Sequence, residues 1–167
     1  MKNMSFRYLS DSYADAEKKF PTDALNETGR NLYGCTKQLF LLKKRNRHLK
    51  TLLSIGGATY TENFVKALAT ERGRKFFASS SVALLANLGF DGLEIDWESP
   101  ANSSQADNYV STLKDVRCAL EDFASVNRLD YRFLLTAAVA ANPQRSNLPH
   151  FAAMNEYLDY WNLSMSN

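Results

Sequence analysis

The sequence is short of cysteine, proline, histidine and net charge. Its two cysteines, Cys35 and Cys118, stand far apart and form neither a metal nor a redox spacing. They are expected as two separate buried thiols, packing as small apolar groups. Twenty basic residues against 18 acidic ones leave a net charge of +2. So small a surplus points to neither nucleic acid nor an anionic membrane as a partner. No apolar run approaches the roughly 20 residues that span a bilayer. No signal peptide is recognised in Met1 to Arg7, which have no apolar segment behind them. Four prolines and seven glycines are scattered, and neither a repeat nor a low-complexity linker is found.

What the chain has is enough apolar material for one domain: 167 residues, 45% of them hydrophobic. Leu32, Cys35, Leu39 and Leu42 recur at helical spacing and predict a helix over 28–46 with a basic end that suits the macrodipole. Leu49 to Ile55 reads as a buried strand ending in Gly56-Gly57. Residues 61–88 read as helix in two pieces broken near Gly73, with Gly89 as C-cap. A strand from about Phe90 to Trp97 follows, stopped by Pro100. Ser103 or Ser104 is placed to cap the next helix, whose Tyr109, Leu113, Val116, Leu120 and Phe123 form a core stripe. Arg132 to Ala140 is a further strand, broken by Asn142-Pro143. A short helix after Pro149 and a strand from Leu158 to Leu163 complete the pass. Strand–helix alternation predicts an α/β architecture with a parallel sheet.

The octapeptide Asp91-Gly92-Leu93-Glu94-Ile95-Asp96-Trp97-Glu98 carries the chemistry. Strand residues alternate faces, so Leu93, Ile95 and Trp97 point one way and Glu94, Asp96 and Glu98 the other. Unpaired acids on a buried strand oppose stability, and such a cost marks a functional site. Active sites of parallel α/β sheets lie at the C-terminal strand ends. Glu98 belongs there, with Asp96 deeper and Glu94 deeper still, which suggests a proton donor at the rim tuned by acids beneath it. Asp91, of opposite parity at the strand's start, is expected to support the backbone or a neighbouring strand. Metal binding and a purely structural acidic strand are the competing readings. No His or Asn cluster completes a shell for a hard cation, so neither metal nor cofactor is expected.

These residues resemble the DGxDxDWE signature of glycoside hydrolase family 18, the chitinases. Leu53-Ser54-Ile55-Gly56-Gly57 is similar to that family's SxGG strand, one strand earlier. The runs from Tyr8 to Asp15, Tyr33 to Cys35 and Lys37 to Leu39 resemble the fungal secreted endochitinases, and Leu158 to Leu163 the run into their later MxYD strand. The resemblance implies a partial (β/α)8 TIM barrel holding roughly strands three to six, with 1–167 as a single incomplete catalytic domain. It implies hydrolysis of β-1,4-linked N-acetylglucosamine in chitin or chitooligosaccharides by a substrate-assisted retaining mechanism. Glu98 would be the general acid. Asp96 would orient the substrate acetamide, and Glu94 would hold Asp96 and share a proton with it. An extracellular location follows by analogy. The sequons at Asn3, Asn26, Asn102 and Asn162 matter only in a secreted chain.

The chain departs from the family pattern in places. Glu94 replaces Asp, adding a methylene to a packed interior. Ala58 and Ser99 stand where the fungal enzymes carry Trp and Tyr. Ser164-Met165-Ser166-Asn167 stands where they carry Met-Ala-Tyr-Asp. A whole barrel needs about 250 residues, so the chain is expected to be a fragment with weak or absent activity. The alternatives are a non-catalytic chitin-binding module and a non-functional remnant.

Overall fold

The structure is a computed structural model that describes residues 9–24, 28–29, 31–97, 100–140 and 150–164. A short π-helix, Tyr13–Glu17, precedes α1 (Gly34–Arg45). Then come β1 (Leu52–Gly56), a 3-10 turn (Ala58–Tyr60), α2 (Thr61–Leu68), α3 (Glu71–Leu88), β2 (Gly92–Asp96), α4 (Ser103–Val126), β3 (Leu134–Ala140), α5 (Phe151–Asn155) and β4 (Tyr160–Ser164). The four strands form one parallel sheet in the order β1-β2-β3-β4. Each strand lies beside the one before it in sequence, as in a βα-barrel. A doubly wound sheet would instead reverse its order at a switch point.

Local chemistry sets the helix ends. The break in 61–88 falls at Thr70, not at Gly73. The Thr70 hydroxyl accepts the Gly73 N–H at 3.1 Å and caps α3, and Gly89 closes that helix in the left-handed region at φ 73°. Asn102, one residue ahead of the expected serines, caps α4 by accepting from the Gln105 N–H at 3.0 Å. The carboxamide oxygen does here what a serine hydroxyl does elsewhere.

The core lies between the sheet and α2–α4. Leu93, Ile95 and Trp97 of the β2 segment, with Leu135 and Ala137 of β3, face the helices. They meet Phe64 and Leu68 of α2, Phe77, Val82 and Leu85 of α3, and Tyr109, Leu113, Val116 and Leu120 of α4. The predicted α4 stripe is the buried face, with Phe123 packed at its margin.

Two expectations fail. The helix predicted over 28–46 is shorter, and its Leu42 and Phe40 are exposed. Among the described residues α1 packs on the π-helix, where the Thr36 hydroxyl donates to the Asp15 carbonyl at 2.7 Å, so Gly34 and Thr36 form its buried side. Cys35 and Cys118 are both exposed free thiols rather than buried ones. Cys118 lies two positions from both Val116 and Leu120, which turns it to the far side of α4 from the core stripe.

A buried arginine joins β3, β4 and α4. Arg117 donates to the Tyr157 carbonyl (3.0 Å), the Phe133 carbonyl (2.8 Å) and the Asp159 carboxylate (2.7 Å). Asp159 also accepts from the Leu135 N–H at 2.7 Å and from Arg132 at 3.1 Å. Burial alone would raise the Asp159 pKa, but the Leu135 N–H and the two guanidiniums outweigh it and hold the carboxyl below its usual range. Arg117→Leu strands these acceptors and is expected to cost about 3–5 kcal/mol in urea unfolding. Because the folded pKa of Asp159 is depressed, its contribution is present above the unfolded value of about 3.9 and is lost as pH falls through the folded one. Asp159→Asn should therefore lower stability at pH 7 and flatten its decline below about pH 4, measured by urea midpoints across pH.

Candidate active site

The C-terminal end of β2 is gripped from both sides. On one side Gly56 ends β1 at φ 126°, and a Cβ there would stand 2.3 Å from the Asp96 carbonyl oxygen and 2.6 Å from the Phe64 ring. Only glycine allows that approach and that dihedral. Gly57 then donates its N–H to the Asp96 carbonyl at 2.9 Å. This is the physical content of the paired glycines: they fasten β1 to the end of β2. On the helix side the Tyr109 hydroxyl, fully buried, donates to the Ile95 carbonyl at 2.9 Å. Burial pushes the Tyr109 phenol up, helped by the negative Asp96 and Glu94 and opposed by a backbone hydrogen bond from Trp97, so it serves as a neutral donor. The Trp97 ring stacks on Phe64 at 5.6 Å and tilts against Tyr109 at 5.2 Å. Glu98 and Ser99, which follow, lie outside the described residues, as does the run 165–167.

The other face of the sheet is polar. Register puts Ser54, Glu94, Thr136 and Tyr160 in one row and Gly56 and Asp96 in the row nearer the C-terminal ends; Ala138 and Asn162 pair one step beyond Thr136 and Tyr160. Glu94 and Asp96 are half-buried rather than buried. Glu94 reaches across β3: the Asn162 amide donates to its carboxylate and lies 3.5 Å from the Thr136 hydroxyl, itself fully buried. The longer acid thus has a partner on β4.

Asp91 sits at the opposite, N-terminal end of β2. Its carboxylate accepts from the Thr51 N–H at 2.7 Å and the Thr51 hydroxyl at 3.2 Å, and pairs with Lys43 at 2.6 Å. Burial would raise its pKa, but the Lys43 and Thr51 hydrogen bonds and the Lys43 charge hold it below the usual range. Asp91 is therefore separated from the Glu94–Asp96 rows and joins α1 to the sheet. Among the described residues no group of three or more His, Cys, Asp or Glu side chains is placed to hold a metal ion, and no helix is long and apolar enough to cross a membrane.

Asn162, Thr136 and Tyr109 were not singled out for the site from sequence. Asn162 was visible as a polar residue inside an apolar strand run and as a sequon, but its partner lies two strands away.

A parallel arc of βα units, with acids on its inner face toward the C-terminal ends, defines part of a (β/α)8 barrel with a carboxylate site. The chain belongs to the glycosyl hydrolases family 18, whose family model matches residues 3–166. It is 44% identical over 163 residues to Endochitinase 1 of Metarhizium robertsii, covering 98% of this chain and 38% of that protein. It is 46% identical over 156 residues to Chitinase 1 of Aphanocladium album, covering 93% of this chain and 37% of that one. Among solved structures, chitinase ChiA74 from Bacillus thuringiensis superposes with a TM-score of 0.83 at 31% identity, over 93% of this chain and 26% of its own. The chain thus spans less than two fifths of the length of the two fungal relatives.

Two substitutions test the grip on β2. Gly56→Ala forces a strained dihedral against a backbone oxygen and should cost about 1–3 kcal/mol or more. Tyr109→Phe leaves the Ile95 carbonyl without its buried donor and should cost about 1–3 kcal/mol. Thermal melts followed by circular dichroism check both.

Proposed function

We propose that residues 1–167 form part of a family 18 catalytic domain that hydrolyses β-1,4-linked N-acetylglucosamine in chitin or chitooligosaccharides. The observation that carries this reading is the inner-face pair Glu94 and Asp96, rising toward the mouth of the arc, where the Gly57 N–H fastens the Asp96 carbonyl. By the alternation of the sequence, Glu98 follows Asp96 with the same parity.

In the proposed reaction Glu98 protonates the leaving glycosidic oxygen. The substrate's own acetamide carbonyl attacks the anomeric carbon from the other side, and an oxazolinium intermediate forms in place of a covalent enzyme adduct. Asp96 orients that acetamide and stabilises its growing positive charge, while Glu94 supports Asp96 from below. Asp91 supports the strand from its far end. Water then opens the oxazolinium, with Glu98 now the base, and configuration is retained. Exposed Tyr60, just after the paired glycines, offers an apolar face for a sugar ring near the position where Ala58 replaces an aromatic residue. The relatives are named chitinases, and an extracellular location is part of the same proposal.

A second reading, chitin binding without turnover, draws on the exposed rings of Tyr60 and Tyr160. The two separate experimentally. Weak release of fluorophore from a chitobiose derivative is expected, reduced at least about 100-fold in Glu98→Gln. Retention on chitin beads without turnover would favour the binding module. Loss of both would overturn the proposal.

A further inference from the structure

We propose that Asn162 is a positioning residue for the acid pair: with Thr136 beneath it, its amide ties the Glu94 carboxylate to β4 and fixes where that charge stands relative to Asp96. The inference deepens the proposed function and rests on it for its catalytic meaning.

Glu94 and Asp96 project from the same face of one strand, two residues apart. Glu has three side-chain torsions, so an untethered Glu94 has several directions open to it on the half-buried inner face. The observed side chain takes one of them, across the sheet and one row toward the C-terminal ends. It crosses β3 at Thr136, the residue in register with it, and its carboxylate accepts from Asn162 on the next strand. Ala138, next to Asn162 on the same face and nearer the C-terminal ends, carries no more than a methyl group and leaves the path open. The donor is an amide, so it fixes the direction of the carboxylate without supplying a cation to neutralise it. The pairing also matches the length of the acid. An Asp at position 94 would be shorter by one C–C bond, about 1.5 Å, and would fall short of the same amide. Glu94 and Asn162 therefore form a matched pair, and the substitution expected to overpack the interior is accommodated by a partner two strands away.

The test uses the full chain and needs no turnover. The Asp96 carboxyl carbon is followed by NMR through a pH titration in the parent, in Asn162→Ala and in the near-isosteric Asn162→Leu. The second variant guards against a cavity effect or a misfolded first one. Release of Glu94 changes the separation of two like charges, so both variants are expected to move the Asp96 titration midpoint by about half a unit or more. In the Glu94→Gln background the same Asn162 substitutions are expected to leave it unmoved. An unchanged midpoint in the folded single variants would overturn the proposal, and so would an equal shift in the Glu94→Gln background. Kinetics form a separate arm: kcat on the fluorogenic chitobiose derivative should fall about tenfold in Asn162→Ala with KM within about twofold. If the parent shows no turnover, the hydrolase reading fails while the titration still decides the role of Asn162.

Discussion

A strand with two incompatible faces governs this structure. Leu93, Ile95 and Trp97 alternate with Glu94 and Asp96, so the same backbone must be driven into an apolar core and must hold carboxylates on its other side. The apolar face prevails. Full burial of Leu93 or Ile95 is worth about 1.5–3 kcal/mol each, and Trp97 adds ring contacts with Phe64 and Tyr109. Once the helices have fixed that face, alternation leaves the acids no other direction to point. The register with β1 and the hydrogen bond from Gly57 then set how far along the barrel axis Asp96 stands.

The charges divide between the two ends of the sheet. Near the N-terminal ends Asp91 is met by Lys43, and Asp159 by Arg117 and Arg132, while backbone N–H groups complete both sites. These carboxylates are held ionised by cations and act as joints between elements. On the inner face Glu94 receives a neutral amide instead. The cations neutralise the carboxylates at those joints, whereas the amide directs the Glu94 carboxylate without neutralising it.

Much of the fold was readable because its signals are local. The parallel strands, the α4 stripe, the Gly89 cap and the assignment of acids and apolar residues to opposite faces of β2 follow from periodicity and single-residue conformational preference. The paired glycines and the acidic octapeptide marked the family. What escaped was set by tertiary contact. The apolar positions of α1 suggested a buried face, but its neighbour among the described residues is the π-helix, so Thr36 is buried and Leu42 is not. The cysteines were expected inside because their type is usually buried, whereas Cys118 sits on the wrong side of its helix. Asn162 was hidden for a different reason: a hydrogen bond between β2 and β4 depends on register across an intervening strand, and no local pattern encodes it.

The neighbour-by-neighbour order of the sheet bears on how such a chain folds. Leu52 pairs with Gly92, Gly92 with Leu134, and Thr136 with Tyr160, so among the described residues no pairing skips a unit. Each pairing closes only the loop made by its own crossover, and the entropy of closure grows merely with the logarithm of loop length. Strand pairing can then proceed by accretion, one βα unit on the last. In such an architecture a unit gained or lost at an edge changes the number of closures and leaves the cost of each nearly unaltered.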